Sequence, residues 1–384
     1  MLTLIENVEL FAPQYLGQRQ VLIAADKISA IYEELPEGLV VAKQQGLLSC
    51  VDGRAKRLLP GFVDGLVHFC GGGGEGGFGN RTPELLAPEA AAAGVTTLVG
   101  ALGTDSITRT LSNVLGKARE LQAKGLSTYF YSGSYHIPLA TLTQSLETDL
   151  LYIPEIIGVG EIALSDHRGS VLEYQDLLSI AKRTITSASL AGKKGVIFCH
   201  MGDGSEQLAL LEQIAEQADI HISHFVPTHM NRNPSLCANA IRFAKLGGYV
   251  DLTTSSNQQL LDLGEVKSAS ALAQLINAGV APNLITMSSD ANASLPVFDD
   301  TGRAIGVDVG RIASLYEAVC EAHCDYGVDF STALMSITQN PATALGLYRK
   351  GLISGGYDAD LVLVDEQHLA IEKVWSKGQQ VFGY

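Results

Sequence analysis

The chain has 384 residues, a formal net charge of −15, a hydrophobic share of 46% and a charged share of only 17%. An acidic chain with no run of Lys and Arg is not built to bind nucleic acid or an anionic membrane surface, since both need basic patches, and no apolar run approaches the ~18 residues of a membrane span. The sparse charge leaves little to cover a monomer and points to a homo-oligomer.

The N-terminus meets Glu6 too early for a signal peptide. The six cysteines (Cys50, Cys70, Cys199, Cys237, Cys320, Cys324) form neither CxxC pairs nor a compact framework, which reads as reduced thiols in a cytoplasmic protein. Cys320, His323 and Cys324 share a helical face and read as helix packing.

In chain order, residues 1–57 are rich in strand patterns and turn residues (LTLIENVELF, QRQVLIAADKISAIYEEL) but offer too little core to stand alone. They are expected to meet residues 346–384 and build one small β-sandwich domain. Across residues 58–345, eight β-branched runs alternate with segments of helical periodicity: RLLPGFVDGLVHF, VTTLVGALG, STYFYSGSYH, EIIGVGEIAL, KGVIFCHMG, ISHFVPTHM, GGYVDLTT and LITMSSDA. Eight βα units over this length predict an α/β fold of the (β/α)8 TIM-like barrel class. A doubly wound sheet fits less well, because no GxGxxG opens a helix after the first strand.

In such a barrel, chemistry sits at the C-terminal ends of the strands. Alternation along the runs brings His68 (strand one), Glu161 (strand four, with Ile157 and Val159), His200 (strand five), His229 (strand six) and Asp290 (strand eight) to one rim. Three imidazoles and two carboxylates form a zinc-type ligand set. Glu75, in the glycine run GGGGEGG, lies near this rim with Tyr135, Arg168, Arg232 and Ser294, and the two arginines suit an anionic substrate. Asp105 and Arg109 of GTDSITR read as a surface salt bridge, with Asp105 or Ser106 capping a helix.

The barrel with strand-end ligands and the split terminal domain ending in GLISGGYDADLVLVD resembles the amidohydrolase superfamily. Within it, GGGGEGG, LGTDSI, GSYHIP, SDHR, HMGD, PTHMNRNP and SSDANAS resemble the isoaspartyl dipeptidase family. The resemblance implies zinc-dependent hydrolysis of small β-aspartyl dipeptides, an activated water attacking the amide carbonyl with Asp290 as general base and Tyr135 polarising that carbonyl. It assigns Glu75 to the substrate α-ammonium, Arg168, Arg232 and Ser294 to its carboxylates, and Thr104 of LGTDSI to substrate binding. Two other readings stay open: another amidohydrolase reaction on a cyclic amide or an N-acyl amino acid, and a barrel retained for binding alone. A deaminase fits less well, because Asp203 stands where such members of the superfamily carry glutamate.

This chain departs from the pattern twice. The first strand of the superfamily usually carries His-x-His, and here it reads Leu66-Val67-His68. Glu161 replaces a carboxylated lysine, whose carboxyl carbon reaches roughly 3–4 Å further from the backbone. The inner position keeps Glu161, His200 and His229, while the outer keeps only His68 and Asp290, which favours one zinc at the inner site. Leu66→His is expected to raise bound metal towards two ions per chain by elemental analysis; unchanged content would show that Leu66 does not limit the outer site.

Overall fold

Residues 2–383 are described in the computed structural model. The N-terminal segment forms strands β1 (Leu2–Phe11), β2 (Tyr15–Ala24), β3 (Lys27–Tyr32), β4 (Ser49–Asp52) and β5 (Lys56–Pro60). The middle of the chain supplies β6 (Phe62–Val67), β7 (Val95–Gly100), β8 (Ser127–Ser132), β9 (Ile156–Leu164), β10 (Val196–Met201), β11 (Phe225–Thr228), β12 (Val250–Thr253) and β13 (Ile285–Ser288). A hairpin of β14 (Ser294–Phe298) and β15 (Ala304–Val309) follows, and β16 (Leu361–Asp365), β17 (Ile371–Ser376) and β18 (Gln379–Phe382) close the chain.

Each of the eight β-branched runs contains one strand of the set β6 to β13, and their residues are buried almost throughout. Burial on both faces is what a parallel sheet under helices requires. The helix Leu111–Ala123 shows how the cover forms. Thr110 caps it by accepting from the Asn113 amide at 3.3 Å, and Leu111, Val114, Ala118 and Leu121 are the buried positions of one stripe.

The parallel ladder runs β6-β7-β8-β9-β10-β11, and β12 pairs with β13 as a separate two-stranded unit. Backbone bonds carry the curl across both seams. The Met230 amide donates to the Asp251 carbonyl at 3.1 Å on one side; on the other, Asp290 donates to Leu66 at 3.1 Å and His68 donates to Ala291 at 2.8 Å. The result is a mixed α/β fold around a curled parallel sheet. Inside the curl, Val63, Leu66, Val99, Tyr131, Ile157, Phe198 and Val226 form one apolar cluster drawn from six successive strands. Leu66 is a fully buried member of that layer.

The chain ends meet in an eight-stranded sheet ordered β18-β17-β16-β5-β1-β2-β3, with β4 added beside β1. The run RLLPGFVDGLVHF is therefore divided: its leading residues belong to β5 in this sheet, and the rest to β6. The buried Lys350 ammonium fastens the two parts, lying 2.7 Å from Asp358, Asp360 and the Ser127 hydroxyl at the start of β8. Among the described residues, no helix is long and apolar enough to cross a membrane.

Two buried aspartates stand at the seams. Asp251 of β12 accepts from Thr228 of β11 at 2.7 Å and from Thr286 at 2.6 Å and Ser288, both of β13. Asp64 of β6 accepts from the Ser289 amide at 3.0 Å and bonds the Ser289 hydroxyl. Burial pushes Asp64 up to about 7 and Asp251 up to about 6, despite these hydrogen bonds. A folded-state pKa above the unfolded value means the native chain holds the extra proton. The Asp64 contribution to stability is thus full below pH 4 and declines as pH rises to about 7, a change of roughly 4 kcal/mol. Asp64→Asn, a neutral isostere, is expected to flatten this component of urea-unfolding stability between pH 4 and 7 in chelator-treated protein. An unaltered slope would show that Asp64 is ionised in the fold.

Candidate active site

The residues singled out at the rim lie in the C-terminal half of a parallel strand or in the segment that follows it. His68 follows β6, Thr104 follows β7, Tyr135 follows β8, Glu161 lies inside β9, His200 is the penultimate residue of β10, His229 follows β11 and Asp290 follows β13. His229 and Asp290 have φ of 59° and 53°, a left-handed backbone that costs a non-glycine residue energy and that clusters at functional sites.

Simple alternation does not hold at Glu161. The step from Val159 to Ile162 in β9 is matched by the shorter step from Ile197 to Cys199 in β10, so one extra residue is bulged at Gly160–Glu161. Glycine is required beside the bulge, because a Cβ on Gly160 would sit 2.8 Å from the Phe198 Cβ and 2.9 Å from its carbonyl oxygen. The bulge re-aims the strand and makes up for the shorter side chain. Glu161 Oε1 reaches 3.3 Å from His200 Nδ1 and 3.5 Å from His229 Nε2, and its Oε2 lies 3.7 Å from His68 Nε2.

Glu161, His200 and His229 form the one group of three or more metal-capable side chains that converge in space among the described residues. Ligands ~2.1 Å from a tetrahedral ion stand about 3.4 Å apart, which is the spacing seen here. Glu161 Oε2 is buried without a hydrogen-bond donor, a costly state for a carboxylate that a cation would relieve. Burial pushes His200 down to about 3 and His229 down to about 4, although Asp166 and Glu161 respectively favour their charged forms. Neutral imidazoles are what a metal accepts. On His68, burial is outweighed by Asp290, 3.1 Å away, and by Glu161, so its pKa is raised. Burial also opposes charge on Asp290, yet His68 holds that carboxyl down to about 2. These residues fit a divalent cation.

The site opens into a cavity of about 650 Å³ lined by His68, Glu75, Thr104, Tyr135, Arg168, His200, His229, Arg232, Asp290 and Ser294, with Glu161 buried beneath. Glu75 accepts from Thr104 at 2.8 Å and lies 3.5 Å from an Arg168 nitrogen. The Tyr135 hydroxyl is 2.7 Å from His200 Nδ1, and the Arg168 guanidinium lies over the Tyr135 ring, 5.6 Å from its centre. One nitrogen of Arg232, Nε, is buried without a partner. Leu66 is not in this lining; it belongs to the apolar layer inside the curl.

Three residues outside the sequence reading support the site. Asp166 accepts from the Arg168 amide at 2.8 Å, from its side chain at 3.0 and 2.7 Å, and stands 3.1 Å from His200 Nε2. Thr253 bonds His229 Nδ1 at 2.6 Å, which turns Nε2 towards Glu161. Gly103 leaves room for His68, whose ring carbon would be 3.2 Å from a Cβ there. Asp166 was visible in SDHR, two before Arg168; the other two carried no pattern. Arg109 keeps the expected ion pair with Asp105, 3.6 Å away, but it is buried rather than at the surface. It also donates to the carbonyls of Cys70 at 2.9 Å, Gly73 at 3.3 Å and Thr82 at 3.4 Å. It thereby props the glycine loop that carries Glu75. Asp105 also closes a turn by accepting from the Ile107 and Thr108 amides.

The amidohydrolase family profile matches residues 57–381. The chain is similar to the β-aspartyl dipeptidase of the thermophilic keratin degrader Fervidobacterium islandicum AW-1, solved in complex with β-Asp-Leu, with 38% identity, a TM-score of 0.91 and coverage of 100% of this chain and 97% of that one. A second structure of that dipeptidase gives 35% identity and a TM-score of 0.89 over the same shares. Imidazolonepropionase of Pseudoalteromonas atlantica is 23% identical over 336 residues, 83% of this chain and 80% of that protein. A shorter match, 39% identical over 74 residues, links 18% of this chain to 20% of the α-D-ribose 1-methylphosphonate 5-triphosphate diphosphatase of Escherichia coli (strain K12).

The Asp166 carboxylate orients His200 as a carboxylate orients a metal-ligating histidine elsewhere. Asp166→Asn is expected to weaken metal binding by about 10–100-fold in a chelator competition; an unchanged affinity would mean that His200 is held by its other neighbours.

Proposed function

Since the chain belongs to the amidohydrolase family, we propose that it is a zinc-dependent β-aspartyl dipeptidase, working on one closed (β/α)8 barrel of residues 58–345 beside a β-sandwich domain of residues 1–57 and 346–384. The observation that carries this reading is the pairing of two things in one cavity. A buried Glu161–His200–His229 cluster that fits a metal lies beneath charged groups, Glu75, Arg168 and Arg232, of both signs. A β-aspartyl dipeptide is zwitterionic at the same scale, with one ammonium and two carboxylates. The 38% identical dipeptidase, which was solved with β-Asp-Leu, supports the same substrate class.

Glu161, His200 and His229 would hold the ion, with His68 and Asp290 beside them. A bound zinc supplies an acidified water at neutral pH and polarises the scissile carbonyl. The chain's own residues do the rest. Asp290, which His68 keeps ionised, accepts the water proton and returns it to the leaving amine. Tyr135, buried and with its pKa raised well above the usual phenol range by burial, stays protonated and donates to the developing oxyanion. Glu75 receives the substrate ammonium, while Arg168, Arg232 and Ser294 receive its carboxylates and Thr104 steadies Glu75.

The purified protein is expected to release leucine from β-Asp-Leu, to lose this activity with chelator and to regain it with zinc. Absence of metal-dependent release would refute the proposal. Asp290→Asn is expected to lower kcat by about 10²–10⁴-fold while zinc content is retained through Glu161, His200 and His229; wild-type turnover in this variant would remove Asp290 from the chemistry.

A further inference from the structure

We propose that the enzyme selects dipeptides whose leaving residue carries a large apolar side chain, through a wall formed by Leu260, Leu263, Leu295, Phe298 and Val307. The inference rests on the dipeptidase reading above and names the substrate class within it. The cavity is divided by chemistry. Glu75, Thr104, Asp166 and Arg168, from the loops after β6, β7 and β9, make one flank charged and hydrogen-bonding. The opposite flank is apolar and comes from the segment after β12 and from the β14–β15 hairpin.

The two charged groups of the aspartyl head, its ammonium and its α-carboxylate, find an adjacent pair of opposite charges on the first flank, where Glu75 and Arg168 stand 3.5 Å apart. The leaving residue is then directed to the second, where Arg232 stands between the two to meet its carboxylate. Its side chain faces the wall. Leu295 is buried, but Leu263 is 73% exposed, so part of this wall is apolar surface that water covers until a ligand does. Burial of such surface is worth paying for only by an apolar partner.

The wall is preformed. The Gln259 carboxamide bonds the Phe298 backbone twice, accepting from its amide at 3.0 Å and donating to its carbonyl at 3.0 Å. Asn257 caps the helix Gln258–Asp262 by accepting from the Leu260 amide at 3.0 Å, and its amide nitrogen lies 3.2 Å from Asp308 of β15. Helix and hairpin are thus tied into one surface, which lowers the ordering cost of filling it. Glu265 lines the same side of the cavity, so an acidic leaving side chain meets a carboxyl group there and gains no partner.

The test is kcat/KM of the zinc-loaded enzyme on β-Asp-Gly, β-Asp-Leu, β-Asp-Phe and β-Asp-Glu. Leu and Phe substrates are expected to exceed Gly by about 10–100-fold, and Glu to fall at or below Gly. Leu260→Asn and Phe298→Asn should each shrink the Leu-to-Gly ratio several-fold. Leu263→Lys alters an exposed side chain and leaves the core intact; it should raise the Glu-to-Leu ratio about tenfold. A wild-type Leu-to-Gly ratio near one, or unchanged ratios in all three variants, overturns the wall and leaves the dipeptidase reading standing. No turnover of any of the four dipeptides overturns that reading, and this inference with it.

Discussion

The Glu161 carboxylate is fully buried, faces three imidazoles, and has one oxygen with no donor at all. A buried charge in that state is tolerated only if something else compensates it, and much of the local structure can be read from this demand. The bulge in β9 aims the carboxylate, Gly160 permits the bulge against Phe198, and burial keeps His200 and His229 neutral as ligands. Asp166 and Thr253 each engage the second nitrogen of one of these rings, so that the ligating nitrogens of both converge on Glu161. The arrangement is a centre built around a shorter acid, with the strand rather than the side chain supplying the missing reach.

Below that centre the interior is apolar and closely filled. Leu66, at the position where the superfamily usually adds an imidazole, packs with Val99, Tyr131 and Phe198 instead. The same substitution that withdraws a ligand therefore completes a layer of the core. The two seams of the curled sheet are handled by polar groups: Asp64 and Asp251 bond hydroxyls and amides across gaps where the strand ladder is interrupted. A half-satisfied buried carboxylate would loosen such a seam, whereas one supplied with several donors ties neighbouring strands in register.

Above the centre, charge is organised as a chain rather than as isolated pairs. Asp166 holds Arg168 along two edges, Arg168 approaches Glu75, and Thr104 holds Glu75 from the other side. Arg109 secures the backbone of the glycine loop from beneath, and Gly71 and Gly73, at φ of 75° and 77°, pass within 2.3 Å of the Thr82 and Asn80 carbonyl oxygens by the measure of an added Cβ. No residue with a side chain fits there. The glycine run is thus a way to bring one carboxylate over a metal-type centre on a loop that has no room for other side chains.

The strand pattern of the middle of the chain, the polar residues at its rim and the kind of chemistry they permit are legible along the chain. Parallel strands buried on both faces must read as apolar runs, and a polar residue ending such a run stands out, as His68, His200 and Asp290 do. The glycine run likewise announced a tight loop around Glu75. The rest is not legible there, because it depends on neighbours distant in sequence. The bulge at Glu161 breaks the period-two alternation that strand reading assumes, so its aim depends on β10 alongside. Arg109 pairs with Asp105 four residues away, as its spacing suggests, but the carbonyls it also serves lie 27 to 39 residues away and carry no local signal. Asp64, Asp251 and Thr253 matter through contacts across the sheet, and the apolar wall forms only where a helix and a hairpin meet. Periodicity along the chain encodes which face a residue takes; closure of the sheet decides what it meets there.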